Sequence, residues 1–127
     1  MALRTLELME DRSIVEHVRS ISPLFMERVD NLSKFHCVGH TRAIGLIGAM
    51  EFVGVPGTRQ KIDPKEKFSV KAQKLIQDSG VILRSLPGDA IGFCPPLIIS
   101  ENQINEMFDC IECVMPRLDI LAENIRG

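Results

Sequence analysis

The chain has 127 residues, of which 45% are hydrophobic and 25% are charged, and its formal net charge is −2. This composition is typical of a soluble globular protein, and the length predicts a single domain over residues 1–127. Nucleic-acid binding is not expected, because the chain has no polybasic run and no Tyr or Trp. No apolar run approaches the roughly 20 residues of a membrane span, and the acidic start is unlike a signal peptide, so we expect a cytoplasmic protein with no membrane partner.

Two helices are predicted first along the chain. Leu3, Leu6 and Leu8 indicate a short helical segment. Apolar residues then recur at the three- and four-residue spacing of one helix face: Ile14, Val18, Ile21, Phe25, Val29 and Leu32.

Residues 38–54, VGHTRAIGLIGAMEFVG, are too rich in glycine and β-branched residues for a helix. Their length suits either a pair of strands or one bent strand. After a polar connection, Asp63 is placed as a helix N-cap, with Pro64 at the first helical position and Glu66 three residues after the cap. We therefore expect a helix to begin there and to end near Gly80. Its apolar stripe consists of Phe68, Ala72, Leu75 and Ile76.

Two short strands are predicted at residues 81–86 and 90–94, joined by the turn Leu86-Pro87-Gly88-Asp89. Ser100 and Gln103 then form a capping-box pattern before a long last helix. Its apolar positions are Ile104, Met107, Phe108, Ile111, Val114, Met115, Leu118, Leu121 and Ile125.

The predicted order is helix, strand region, helix, hairpin, helix. A small, mainly antiparallel sheet with helices on one face covers all of the apolar faces. The expected fold class is therefore α+β, an α/β two-layer sandwich.

Most reactive residue types in the sequence have a structural interpretation. The cysteines, Cys37, Cys94, Cys110 and Cys113, are expected to be reduced, and the C-x-x-C pair falls within the last helical pattern with no second pair to complete a zinc site. His17, His36 and His40 have no nucleophile motif around them. We predict no catalytic residue and no metal site.

The six lysines also lack the surroundings of a Schiff-base lysine, which needs an environment that desolvates the amine. They fall in polar loops or on the charged side of the middle helix: Lys34, Lys61, Lys65, Lys67, Lys71 and Lys74.

Two arginines, Arg84 and Arg42, stand in apolar neighbourhoods, where an unpaired guanidinium is costly to bury. One interpretation is an internal salt bridge, for example with Glu51 or Asp89. The other is that Arg84 faces a cleft and binds a ligand carboxylate through its two-pronged guanidinium. The residues alone leave both interpretations open.

The stretches VGHTRAIGLIGAMEFV and GVILRSLPGDAIGFCPPLIIS, followed by the helix start ENQINEMFD, resemble the C-terminal small domain of class III, pyridoxal-phosphate-dependent aminotransferases. The likeness is greatest to the ω-amino acid:pyruvate branch, and it implies the fold of the C-terminal domain of fold-type I aminotransferases. It also implies that Arg84 binds the carboxylate of the amino acid or keto acid substrate. Arg42 matches a family arginine usually followed by glycine, whereas Ala43 follows here, and we interpret Arg42 as mainly structural.

The resemblance further implies that the large domain, which carries the catalytic lysine and binds pyridoxal 5'-phosphate, is absent. We therefore expect a fragment or truncated product that binds no cofactor, is inactive alone and associates with itself. The alternative is a stand-alone regulatory domain that binds a small molecule, of the ACT-like type, although the repeated β-α-β order of such modules is not seen.

Overall fold

The computed structural model describes residues 2–55, 58 and 60–126. Within them the order of elements is the predicted one, two helices, a strand pair, a helix, a hairpin and a last helix. The bounds are α1 Ala2–Asp11, α2 Ile14–Asn31, β1 Val38–Ile44, β2 Ile47–Phe52, α3 Phe68–Asp78, β3 Arg84–Leu86, β4 Ala90–Phe93 and α4 Glu101–Arg126. Residues 38–54 thus form a pair of strands rather than one bent strand.

The four strands form one antiparallel sheet in the order β1-β2-β4-β3, which makes β1 and β3 the edge strands. Strand β4 lies between β2 and β3, so the two hairpins are joined along β2 and β4. One register row crosses the whole sheet through Arg42, Ala49, Gly92 and Arg84. These four residues therefore project from the same face.

Helices cover the opposite face of the sheet, and the core lies between the two layers. Met50 and Phe52 of β2 and Ile91 and Phe93 of β4 are buried there. Aromatic rings connect sheet and helices at centroid distances of 4.9 Å for Phe52–Phe68 and 5.6 Å for Phe93–Phe108, and Phe25 and Phe108 join α2 to α4 at 5.7 Å. The predicted α+β two-layer class is confirmed, and we call the helix-free side the outward face.

The predicted start of the middle helix is wrong. Asp63 does act as a cap, accepting a hydrogen bond from the Lys65 amide at 3.0 Å, but it caps a single 3₁₀ turn over Pro64–Glu66. Lys67 then adopts a left-handed conformation with φ of 49°, and α3 begins at Phe68. The chain turns at Lys67 because Phe68 enters the core against Phe52, a tertiary contact that the capping pattern does not encode.

The predicted ends of the other segments agree better with the structure. The Ser100 amide donates to Gln103 Oε1 at 3.0 Å, and the Gln103 amide donates to Ser100 Oγ at 3.2 Å, which confirms the capping box of α4. Gly80 follows α3 with φ of 111°. The first strand of the second hairpin is shorter than predicted and begins at Arg84.

Helices α2 and α4 are joined by a polar cluster around Arg28. Its guanidinium donates to Asn105 Oδ1 at 3.1 Å and to Asp109 Oδ1 at 2.8 Å, and it lies 5.6 Å from the centre of the Phe108 ring.

None of the helices in the described part of the chain is both long enough and apolar enough to cross a membrane.

Candidate functional site

Arg84 is the first residue of edge strand β3, and its side chain is exposed on the outward face. Ile91 and Phe93 of β4 point into the core, so Gly92 and the residue opposite it, Arg84, point outward. In the described part of the chain, no carboxylate lies within salt-bridge distance of the Arg84 guanidinium. Among the described residues Arg84 is therefore an exposed cation without an ion-pair partner.

The two carboxylates considered as partners of Arg84 are engaged elsewhere. Asp89 Oδ1 accepts a hydrogen bond from the Ser69 amide at 3.5 Å, at the start of α3. Glu51 Oε1 accepts from Arg42 Nη1 at 3.0 Å, and Glu51 Oε2 lies 3.9 Å from Lys61 Nζ. The internal salt bridge of Arg84 with Glu51 or Asp89 is not formed.

Of the two arginines in apolar neighbourhoods, Arg42 is the one that forms an internal salt bridge. Its hydrogen bond to Glu51, together with the nearby Lys61 and His40, holds the pKa of the Glu51 carboxyl below its ordinary value. This pair connects β1 and β2 on the outward face, which agrees with the structural interpretation of Arg42.

Side chains of neighbouring segments donate hydrogen bonds to the backbone of the hairpin that carries Arg84. Gln73 of α3 donates from its side-chain amide to the carbonyl of Leu83 at 2.8 Å, directly before Arg84. Lys61 Nζ donates to the carbonyl of Gly88 at 3.2 Å, within the turn after β3. The main chain on both sides of Arg84 is therefore fixed, while the side chain itself is exposed.

The turn between β3 and β4 uses left-handed backbone conformations. Gly88 has φ of 84° and Asp89 has φ of 55°. Both residue types tolerate these angles better than most others. The turn reverses the chain tightly, so that Arg84 lies opposite Gly92.

The other candidate residues do not gather into a site. His17 Nε2 donates to the carbonyl of Ile99 at 2.7 Å, whereas His36 and His40 are exposed. All four cysteines are free thiols, and Cys110 and Cys113 lie within α4 as predicted. Among the described residues no group of His, Cys, Asp and Glu side chains is arranged to hold a metal ion.

Cys37 is the one cysteine with a buried thiol. Burial raises the pKa of the Cys37 thiol, and the neighbouring Asp119 raises it further by hydrogen bonding and by its charge. Asp119 Oδ1 also accepts the Cys37 amide at 2.8 Å. This contact fixes α4 to the residue before β1. The raised pKa of the Cys37 thiol makes it a poor nucleophile.

Sequence reasoning selected Arg84 but missed the residues that surround it. The anchors Gln73 and Lys61 are ordinary polar residues, and no local pattern distinguishes them. The row from Arg42 to Arg84 depends on β2 pairing with β4, which brings together segments that are distant along the chain. Only the hairpin pattern at 81–94 indicated that a residue of β4 faces Arg84.

A family model and curated relatives that match this chain are all aminotransferases or transaminases. The family model described as Aminotransferase class-III matches residues 1–115. An uncharacterized aminotransferase of Sinorhizobium fredii is 31% identical over 104 residues, which cover 80% of this chain and 22% of that protein. The chloroplastic gamma aminobutyrate transaminase 3 of Solanum lycopersicum is 31% identical over 107 residues, 84% of this chain and 20% of that protein.

Solved structures have the same fold over almost the whole chain. The omega-transferase from Vibrio fluvialis JS17 superposes with a TM-score of 0.88 at 29% identity, over 94% of this chain and 28% of that one. A transaminase solved with L-ala gives a TM-score of 0.87 at 31% identity, again over 94% of this chain and 28% of the other. The chain spans about a fifth of the length of the two curated relatives, 22% of the Sinorhizobium protein and 20% of the Solanum protein.

Proposed function

The chain belongs to the class III aminotransferase family, and we propose that it is the C-terminal small domain of an enzyme that transfers an amino group from an amine or ω-amino acid to pyruvate or another keto acid. Its role in the proposal is to bind the substrate carboxylate through Arg84. The observation that carries this proposal is the exposed guanidinium of Arg84, which has no carboxylate partner in the described chain, on a backbone anchored by Gln73 and Lys61.

The chemistry of Arg84 suits this role. A guanidinium donates two parallel N–H···O hydrogen bonds to a carboxylate, and such charge-assisted bonds are roughly twice as strong as neutral ones. An arginine already paired within its own chain would have to exchange one carboxylate for another. Arg84 has no such partner among the described residues, so binding an incoming acid breaks no ion pair there.

The lysines of this chain do not fit a covalent pyridoxal phosphate site. One solved relative is described as a PLP-bound aminotransferase mutant from Vibrio fluvialis, with 28% identity and a TM-score of 0.88. All six lysines of this chain are exposed, whereas a lysine that reacts as a neutral amine requires desolvation or a cationic neighbour. We therefore propose that the cofactor is held by a large domain outside this sequence and that this chain alone does not transaminate.

The proposal is tested in a hybrid enzyme. Residues 1–127 replace the matching segment of the Vibrio fluvialis enzyme, and kcat/KM is measured with pyruvate and with an aldehyde that lacks a carboxylate. The change Arg84→Gln should lower kcat/KM for pyruvate by about 10- to 100-fold, as expected for one lost charge-assisted interaction. Activity with the aldehyde should be almost unchanged.

The matched control is Arg4→Gln, which removes an exposed arginine of α1 whose ion-pair partner is Glu7 of the same helix. It should change neither activity. An equal loss with both amino acceptors in Arg84→Gln would contradict the role of Arg84 in carboxylate binding.

A further inference from the structure

We infer that Gln73 is a positioning residue for Arg84: the hydrogen bond from its side-chain amide to the Leu83 carbonyl sets the direction in which Arg84 leaves strand β3. The inference rests on the proposed function, because this direction matters to catalysis only if Arg84 binds the substrate carboxylate. It concerns the backbone that carries Arg84 and not the rotamers of the arginine side chain.

The first observation is the place of the hydrogen bond. Gln73 Nε2 donates to the carbonyl oxygen of Leu83 at 2.8 Å. This oxygen belongs to the peptide unit that joins Leu83 to Arg84. Because a peptide unit is planar, its oxygen lies in one plane with the Cα atoms of both residues. The bond from Gln73 therefore acts on the plane that contains the Cα atom of Arg84, from which the arginine side chain projects.

The second observation is that both ends of this peptide unit are held. The Leu83 side chain is only 8% exposed and belongs to the hydrophobic core, which fixes its Cα atom. Arg84 is the first residue of the β3–β4 ladder and pairs with Gly92. The soft motion that remains is rotation of the peptide plane about the line between the two Cα atoms. Such a rotation displaces the carbonyl oxygen, and this is the atom that Gln73 binds.

The third observation is the support of Gln73 itself. Gln73 is half-buried on α3, and its helix neighbours Ala72 and Ile76 are fully buried in the core. The β3–β4 ladder begins at Arg84, so the carbonyl of Leu83 lies one residue before it. A backbone carbonyl at such a place still requires a hydrogen-bond donor. Helix α3 supplies that donor where the paired part of the strand has not yet begun.

The direction of Arg84 affects how well it binds an acid. The two parallel hydrogen bonds between a guanidinium and a carboxylate depend on geometry, and the guanidinium stands at the far end of a long side chain. A small rotation at the backbone is therefore enlarged at the guanidinium. Since the carboxylate is bound before and during the reaction, loss of the Gln73 bond should raise KM for the acid and leave kcat almost unchanged.

The first experiment uses the 127-residue chain and needs neither substrate nor cofactor. Gln73→Met keeps the approximate size of the side chain and removes the donor, whereas Gln73→Lys supplies another donor. The matched control is Gln77→Met, at an exposed position one turn later on α3. Amide hydrogen exchange at residues 84–86, followed by NMR, measures how often the start of β3 opens.

We expect exchange at residues 84–86 to become about threefold or more faster in Gln73→Met, because one hydrogen bond that holds the strand is lost. Gln73→Lys should restore part of the protection, and Gln77→Met should match the wild type. Gln73→Ala also lacks the donor and suits a helix, so it replaces Gln73→Met if that variant does not fold.

The second experiment places the same changes in the hybrid enzyme. Gln73→Met should raise KM for pyruvate by about 2- to 10-fold, the factor that corresponds to one net hydrogen bond. Its kcat with pyruvate, and both constants with the aldehyde that lacks a carboxylate, should remain close to those of the unaltered hybrid. A merely structural role of Gln73 would change the activity with both amino acceptors.

Three results would overturn the inference: unchanged exchange at residues 84–86 in folded Gln73→Met, equal effects in Gln77→Met, or no restoration in Gln73→Lys. Failure of the proposed function has a different appearance, because Arg84→Gln would then show no selectivity for the carboxylate. If Arg84→Gln does show that selectivity while Gln73→Met leaves KM for pyruvate unaltered, the proposed function stands and the role of Gln73 is refuted.

Discussion

At the scale of single residues, an exposed and unpaired arginine should contribute little to folding. Arg84 has no ion pair in the described chain. We therefore predict that Arg84→Gln changes the free energy of unfolding by no more than about 0.5 kcal/mol, the usual range for surface substitutions. Urea denaturation followed by circular dichroism measures this quantity. A loss of about 3 kcal/mol would mean that the guanidinium is buried and paired within its own chain.

The buried thiol of Cys37 gives a prediction about pH. Its pKa is raised in the folded chain, whereas in the unfolded chain it is expected near the ordinary value of about 8.5. Above that pH the unfolded state loses the thiol proton while the folded state keeps it. Stability should therefore fall as pH rises, by at most about 1.4 kcal/mol per pH unit for this one group.

The check compares unfolding free energies at pH 7 and pH 10 for the wild type, Cys37→Ala and Cys94→Ala. The Cys37 variant should lose less stability between the two pH values than the wild type does. Cys94 is exposed, so Cys94→Ala should follow the wild type. Identical pH dependence in all three proteins would show that the Cys37 thiol has the same pKa in the folded chain as in the unfolded chain, which contradicts the prediction.

At the scale of elements, the polar cluster between α2 and α4 should be one of the stabilising contacts of the helical layer. Arg28 has a side chain that is only 15% exposed, and it binds Asn105 and Asp109 while lying near Phe108. We predict that Arg28→Ala lowers the free energy of unfolding by about 2 kcal/mol, since it leaves charge-assisted hydrogen bonds unmade. Chemical denaturation provides the measurement.

The control for this change is Arg4→Ala. Arg4 also forms an ion pair, with Glu7 at 3.2 Å, but its side chain is 68% exposed. Exposed pairs of this kind contribute less than about 1 kcal/mol. If both alanine variants lost the same stability, the contacts of Arg28 between α2 and α4 would not be the source of its contribution to the free energy of unfolding.

The elements were predictable where their signals are local. The Ser100–Gln103 capping box forms as expected, and the turn at Leu86–Asp89 joins two strands. The start of α3 was not predictable, because the left-handed turn at Lys67 serves the distant contact between Phe68 and Phe52. Local capping residues describe which turns are possible, and packing selects among them.

The same distinction applies to the candidate site. Arg84 was identifiable because a lone arginine in an apolar stretch requires an explanation. Its exposure was not identifiable, because it depends on which face of β3 the helices cover. The row that places Ala49 and Gly92 between Arg42 and Arg84 had no local signal in the sequence, since it depends on the pairing of β2 with β4.

At the scale of the whole molecule, we predict that the chain associates with itself. Helix α1 has no buried residue, and its Leu3 and Leu6 are 71% and 59% exposed. Ile44 and Ile47, which pair at the end of β1 and β2, are 77% and 62% exposed. Apolar surface of this kind is usually covered by another protein surface.

Light scattering over a range of protein concentrations measures the association. The double change Leu3→Lys and Leu6→Lys should shift the protein towards the monomer. Val70→Lys, which alters an exposed apolar residue on α3, should have less effect. A strictly monomeric wild type at high concentration would contradict the prediction.

The position of β4 in the middle of the sheet has a consequence for folding kinetics. The hairpins β1–β2 and β3–β4 each close over a short turn, whereas the β2–β4 pairing must bring together segments separated by the chain from Phe52 to Ala90, including α3. Long-range pairing is slow because the entropy of loop closure is lost before the contacts form. We therefore expect the two hairpins to form early and their joining to limit the folding rate. Substitutions along this seam would then alter the folding rate, whereas substitutions that weaken only the outer part of β1 would mainly alter the unfolding rate.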